Sequence, residues 1–327
     1  MASRVLSGMQ PSGLMHLGNL LGALENWKTL QAQHECYFFV ADWHALSTNY
    51  ADTTRIKEFS LELLIDWLAA GIDPERATVF IQSSVPEHAV LHLLLSMIVP
   101  IPWLERNPTY KEKREEITEK DLSTYGFLGY LVLPAADIFL YKPSLVPVGT
   151  DTLPHPELTR ELGRRSNSLY SPVFPEPKEY LTQFPKVLGT DGRKMSKSYN
   201  NTINLSDTEP VVRQKLKTMV TDPARVRRTD KGNPDVCPVF DFHKIFSPAE
   251  VIKQIDQDCR TAAIGCIDCK RQVADAMVTC YGPMWEKRAA LQQNPGQTRE
   301  IVEEGGKRAA QVAGHTMQEV KSAMKIL

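Results

Sequence analysis

Two lysines three residues apart, Lys194 and Lys197, stand in the polar run Gly189-Thr190-Asp191-Gly192-Arg193-Lys194-Met195-Ser196-Lys197-Ser198. Paired cations on one loop, with serine hydroxyls beside them, can clamp a triphosphate and neutralise charge that moves onto a leaving group. Near the N-terminus, Ser7-Gly8-Met9-Gln10-Pro11-Ser12-Gly13 leads into Leu14-Met15-His16-Leu17-Gly18-Asn19. A turn-rich loop of this kind separates a strand-like run, Arg4 to Leu6, from a segment of helical period, Leu17 to Leu30. The unpaired N–H groups of a helix opening there suit a phosphate. Gly18 admits a nucleotide close to the backbone, and His16 and Asn19, one turn apart, reach toward the same ligand. Asp137 lies in the apolar run Tyr125 to Tyr141, where a carboxylate is costly to bury without a partner. It is either paired within the protein or kept to accept a hydrogen bond from a substrate. Of six cysteines, Cys237, Cys259, Cys266 and Cys269 are separated by 21, 6 and 2 residues. Four thiols in one short segment point to a metal centre, and spacing alone leaves both Zn²⁺ and a [4Fe–4S] cluster open. Cys36 and Cys280 read as buried, inert thiols.

These groups need a scaffold of alternating strands and helices. Cys36 to Asp42 is a continuous apolar run, as in a parallel strand covered on both faces. Thr53 to Ala70 has helical spacing and is closed by Gly71, and Ala77 to Gln82 is the next strand. The alternation predicts an α/β fold with a doubly wound parallel sheet, Rossmann-like, followed by a smaller all-α region. Ligands in such folds sit at the carboxyl ends of the strands, which gathers the first loop, Asp42 to His44, and Gln82 around one crevice; His44 at a strand end is then placed to face substrate. Lys111 to Lys120 is a charge run that reads as a solvated helix. The expected division is a catalytic domain over 1–200 with an insertion at about 90–125, a helical domain over 201–295 rich in Arg and Lys, and a terminal helix over 296–327 that returns to the catalytic domain.

The chain has 327 residues, 42% of them hydrophobic and 24% charged, with 38 basic against 39 acidic side chains. So small a net charge argues against a global basic field, and any nucleic-acid contact must use local clusters. No signal peptide precedes the first strand, and the longest apolar run is too short to span a bilayer. A cytoplasmic protein is expected.

The His16-Leu17-Gly18-Asn19 and Lys194-Met195-Ser196-Lys197-Ser198 motifs together resemble the two signatures of class I aminoacyl-tRNA synthetases, Asn19 standing where the familiar form has a second histidine. Gly129-Tyr130-Leu131-Val132-Leu133-Pro134-Ala135-Ala136-Asp137-Ile138 resembles the tryptophan-pocket helix of bacterial tryptophanyl-tRNA synthetases, and the likeness extends over essentially the whole chain. It implies that Asp137 accepts the indole N–H, and that Tyr130 and Gln10 grip the amino acid head group. It implies an ATP site made by Gln10, Pro11, Ser12, His16, Gly18 and Asn19, by the lysine loop Lys194 to Ser198, and by Gly149, Thr150 and Asp151, which resemble the ribose-binding turn. Pro134 and Thr152 depart from the family pattern, which expects a methionine-like residue and a glutamine.

The resemblance also implies Mg²⁺ with ATP, tRNA(Trp) as partner, anticodon contacts on the helical domain, and a homodimer formed through the insertion. A subset of these enzymes carries cysteines at nearly the present spacing on a [4Fe–4S] cluster, one residue longer in the first gap, which favours the cluster over Zn²⁺ here. The implied reaction joins L-tryptophan to ATP as tryptophanyl-adenylate and then to tRNA. The alternative from another class is an iron–sulfur RNA-binding paralogue that has lost aminoacylation.

Overall fold

The computed structural model describes residues 3–148, 154–181 and 187–326. Five strands form one sheet: β1 (Arg4–Met9), β2 (Glu35–Val40), β3 (Ala77–Ile81), β4 (Leu145–Val148) and β5 (Lys178–Leu181). Their spatial order is β3-β2-β1-β4-β5, every pairing parallel. The sheet is covered on both faces, which is why β2 is buried at five of its six positions. Alternate residues divide between two cores. Val5, Phe38, Val40 and Val79 face a core with Trp27 and Trp67, where Trp27 stacks on Phe38 at 4.4 Å between centroids. Leu6, Tyr37, Phe39 and Phe80 face the other, with the helices Glu87–Ser96 and Leu133–Tyr141.

Local boundaries differ from the sequence reading in physically intelligible ways. β2 stops at Val40, because Asp42 already begins the helix Asp42–Asn49. The first helix is not uniform: Leu17–Asn19 is α, Leu20–Leu24 is a π turn, and Glu25–Gln31 is α again. A π turn in a helix that opens on a functional loop is a recurring feature of ligand sites. The helix Ile56–Ala70 ends at Gly71, whose φ of 108° needs a glycine.

The strand order reverses between β1 and β4, and there the sheet opens. β1 pairs with β2 along its whole length, from Arg4 opposite Glu35 to Met9 opposite Val40. With β4 it shares only the register pair Val5 and Leu145. Pro147 has no N–H to offer β1, so the carboxyl ends of β1 and β4 part and leave a crevice at the topological switch point.

Beyond the sheet the chain is helical, chiefly Glu209–Thr218, Pro238–Phe246, Ala249–Thr261 and Cys266–Gln293. The last helix, Pro295–Ala323, lies along β3. Its backbone approaches so closely that a Cβ on Gly305 would fall 1.9 Å from the Val79 carbonyl oxygen. The helix thereby covers the free edge of the sheet. Thr316 Oγ1 ties it further, donating to the Leu140 carbonyl at 2.7 Å.

Candidate active site

A cavity of about 240 Å³ fills the crevice between β1 and β4. Its walls are the end of β1, Phe39 of β2, the helix carrying Asp137, and Val146 and Pro147 of β4. Gln10, His44, Tyr130 and Asp137, drawn from three separate stretches of chain, all line it, and so does Pro134. Phe39, Ile138 and Pro134 supply apolar surface suited to a flat ring. Gly8 is required here, since a Cβ would meet the Phe39 ring at 2.6 Å.

Asp137 is almost wholly buried, yet it does not lack partners. His44 Nε2 lies 2.6 Å from Oδ2, Gln82 Nε2 donates to Oδ1 at 2.8 Å, and His88 Nδ1 lies 2.6 Å from Oδ1. Burial alone would push this carboxyl up; the His44 imidazole, then the hydrogen bonds from His44 and His88, reverse that and hold it well below the usual carboxylate range. Both readings left open by the sequence thus meet in one residue: Asp137 is paired within the protein and also faces the cavity. Tyr130 stacks parallel on Phe127, meets His44 edge-on at 5.4 Å, and receives a hydrogen bond from Lys113 Nζ at 3.2 Å.

The loop that places Gln10 in this cavity continues into a second cluster. Lys197 Nζ donates to the Gly13 carbonyl at 3.1 Å and reaches Ser12 Oγ at 3.5 Å. Two backbone bonds fix this approach: Leu17 N–H to the Ile203 carbonyl, and Leu205 N–H to the Met15 carbonyl. His16 is buried beside them; burial first, then the Lys197 charge, lower its pKa to about 4 and keep it neutral. Its Nδ1 is buried without a hydrogen-bond partner. Lys197 is exposed along its stem, but packing of its ammonium against Ser12 and Gly13 desolvates it and lowers its pKa. Asn19 Oδ1 accepts the His16 N–H at 3.1 Å and so caps its own helix turn. Gly18 packs against the His16 ring, 3.0 Å from where its Cβ would be.

Within the lysine loop, Met195 is buried as an anchor while Lys194 and Ser198 are exposed. Asn201 organises the turn: Nδ2 donates to Asp191 Oδ1 at 2.7 Å and to the Lys194 carbonyl at 3.2 Å, and Oδ1 accepts the Ser196 N–H at 2.9 Å. Sequence reasoning missed His88 and did not foresee these Asn201 contacts, but it did gather Gln82 around the crevice. Gly149, Thr150, Asp151 and Thr152 lie outside the described residues.

Cys237, Cys259, Cys266 and Cys269 come within electrostatic reach of one another: burial, then the thiols of Cys237, Cys259 and Cys266, push Cys269 up to about 12. Arg225 Nη1 points at Cys259 Sγ from 3.7 Å. Among the described residues, no three His, Cys, Asp or Glu side chains are gathered closely enough to hold a metal ion. Cys36 is buried as expected; Cys280 is exposed, which corrects the sequence reading. Among the described residues no helix is long and apolar enough to cross a membrane.

A crevice at the switch point of a parallel sheet, joined to a His-Leu-Gly-Asn loop held against a Lys-Met-Ser-Lys-Ser loop, is the arrangement of a class I synthetase. The family model for tRNA synthetases class I (W and Y) matches residues 1–282, and the chain belongs to that family. Within it, the chain is 52% identical over 326 residues to the tryptophan–tRNA ligase of Thermotoga maritima, covering 99% of each. It is 43% identical to that of Ralstonia nicotianae, covering 98% of each. Among solved structures, tryptophanyl-tRNA synthetase from Campylobacter jejuni, complexed with ADP and tryptophan, superposes with a TM-score of 0.92 at 30% identity, covering 98% of this chain and 99% of that one.

Proposed function

We propose that the chain is a tryptophan–tRNA ligase, activating L-tryptophan with ATP and transferring it to the 3′ end of tRNA(Trp). The observation that carries this reading is the cavity itself: Gln10, His44, Tyr130 and Asp137 converge on it, and the Gln10 loop touches Lys197 three residues on. In the first step a carboxylate oxygen of tryptophan bonds to the α-phosphorus of ATP while the bond to pyrophosphate breaks. The nucleophile arrives ionised, so no side chain need attack and positioning does most of the catalysis. Asp137 and the apolar walls hold the ring; Gln10 and Tyr130 hold the head group. Lys197, with Lys194, stabilises charge developing on the departing pyrophosphate. Mg²⁺ bound with ATP would supply further charge neutralisation. His16, kept neutral, leaves the positive charge on the lysines. In the second step a terminal ribose hydroxyl of the tRNA attacks the adenylate carbonyl and AMP departs.

Finer features belong to the same proposal. Anticodon contacts fall to the helical region over 201–295, which presents Arg213, Lys217, Lys270 and Arg271 around one groove. A homodimer fits the helix Glu87–Ser96 and its continuation, where Val90, Leu93 and Met97 recur on one helical face and are exposed, Met97 by 69%. Cys237, Cys259, Cys266 and Cys269 would have to draw closer together to hold a [4Fe–4S] cluster; the nearby Arg225 charge suits an anionic cluster, which would brace the turn at Cys237 against the helices carrying the other three. A cytoplasmic location suits the reaction. Charging of unfractionated tRNA with labelled tryptophan tests the activity, and its failure alongside intact nucleotide binding would favour the RNA-binding alternative. Protein purified without oxygen should absorb broadly in the visible, and Cys266→Ser should bleach it; a colourless protein containing zinc would reject the cluster.

A further inference from the structure

We infer that His88, with Tyr141 behind it, is a specificity-determining positioning residue: the pair leaves Asp137 a single acceptor position for the ligand, so the cavity demands a ring presenting one N–H donor. The inference rests on the tryptophan reading above, and its test is built to separate the two.

An ionised carboxylate has about four lone-pair positions. Oδ1 of Asp137 spends both of its own, on Gln82 Nε2 and His88 Nδ1. Oδ2 spends one on His44 Nε2, a residue that itself lines the cavity. One position remains, on the oxygen nearest that wall.

The protonation pattern follows from the partners. His88 Nδ1 faces a group that only accepts, so it carries the proton. Its Nε2 lies 2.9 Å from Tyr141 Oη, where the tyrosine hydroxyl can donate to it. Burial, then the charges of Asp137, Tyr37 and Glu87, hold the Tyr141 hydroxyl protonated and able to play that part. Gln82 supports the same order. Its Oε1 is buried without a partner, yet flipping the amide would aim that oxygen at the carboxylate. The carboxylate thus dictates every orientation around it. The titratable groups facing Asp137 are His44 and His88, on the helices Asp42–Asn49 and Glu87–Ser96. Tyr37 and Glu87 face Tyr141 behind them.

Removing the His88 donor unpins the carboxylate at Oδ1, so Oδ2 no longer holds its open position toward the ring N–H, and the carboxyl takes up a proton more readily. The cavity then loses both its preference for an N–H and its indifference to pH. The test compares tryptophan with its benzothiophene analogue, in which sulfur replaces the ring N–H, by pyrophosphate exchange from mildly acid to mildly alkaline pH. His88→Leu should raise KM for tryptophan roughly 10- to 100-fold with kcat little changed and KM for the analogue unmoved. It should also make the tryptophan KM pH-dependent. His88→Asn, which keeps a donor near Nδ1, should restore most of the preference. Tyr141→Phe, nearly isosteric, should move the same readouts in the same direction and carries the test if His88→Leu does not fold. A wild-type enzyme silent with both amino acids would sink the tryptophan reading itself, and one indifferent between them would overturn the inference alone. A discriminating wild type whose variants keep both the ratio and the flat pH profile would overturn the positioning role alone.

Discussion

Arg288, on the helix Cys266–Gln293, is buried where that helix crosses Ile56–Ala70, and it holds Asp66 at 2.7 Å and also pairs with Glu62. This contact joins the helical region to the sheet domain, so Arg288→Met tests their coupling. Asp66 is 1% exposed, and Glu62 is open enough to rehydrate, so the cost falls mainly on Asp66. Burial raises the Asp66 pKa from 3.8 to about 6, although Arg288 pulls the other way. Without Arg288 the carboxyl avoids its charge by staying protonated. That costs about 1.4 kcal/mol for each pH unit between its pKa and the medium, so relative to the wild type the deficit approaches about 3 kcal/mol at about pH 8 and nearly vanishes near pH 6.

The sign follows from linkage. A carboxyl whose folded pKa is raised binds protons more tightly in the folded state, so stability falls as pH rises through the window from 3.8 to about 6 in the wild type. The variant extends that window upward. Thermal unfolding should show Arg288→Met melting roughly 5 °C below the wild type at about pH 8 and nearly level with it at about pH 6. A deficit independent of pH would refute the assignment of the cost to Asp66, and no deficit at all would refute the contact.

Lys197→Ala should slow pyrophosphate exchange by roughly 10²- to 10³-fold while leaving tryptophan binding by calorimetry nearly unchanged; equal losses in both would contradict its place on the phosphates. Asn201→Ala removes three hydrogen bonds that shape the lysine loop, and should raise KM for ATP about tenfold without touching KM for tryptophan. Gly305→Ala drives a methyl into the Val79 carbonyl and should lower the melting temperature by several degrees, because the terminal helix must lift from β3. A melting temperature matching the wild type would mean the helix sits farther from the strand.

What the sequence revealed was local. The strand–loop–helix at the N-terminus, the lysine loop and the lone carboxylate of Asp137 announce themselves through composition within a few residues, and the apolar runs of β2 and β3 betray a sheet buried on both faces. The groups that complete the site are separated by folding distance. His88 lies 49 residues and Gln82 55 residues before Asp137, and only the order β3-β2-β1-β4 brings them together. Two signals were available: Gln82 follows directly on an apolar strand, at the end where ligands bind, and Tyr141 stands four residues after Asp137 on one helix face. The cap that Asn19 makes on its own helix turn was not foreseen, because the same side chain could equally face a ligand. The exposure of Cys280 was misjudged because a long helix with weak amphipathic patterning gives no face to read.

Tryptophan activation requires that the Asp137 cavity select tryptophan for adenylation. Amino-acid-dependent ATP–pyrophosphate exchange, run side by side with tryptophan, tyrosine and phenylalanine, measures it directly. Exchange should occur with tryptophan alone, with phenylalanine rejected by roughly 10⁴-fold for want of a donor to Asp137. Exchange supported equally by tyrosine, or by none of the three, would contradict it.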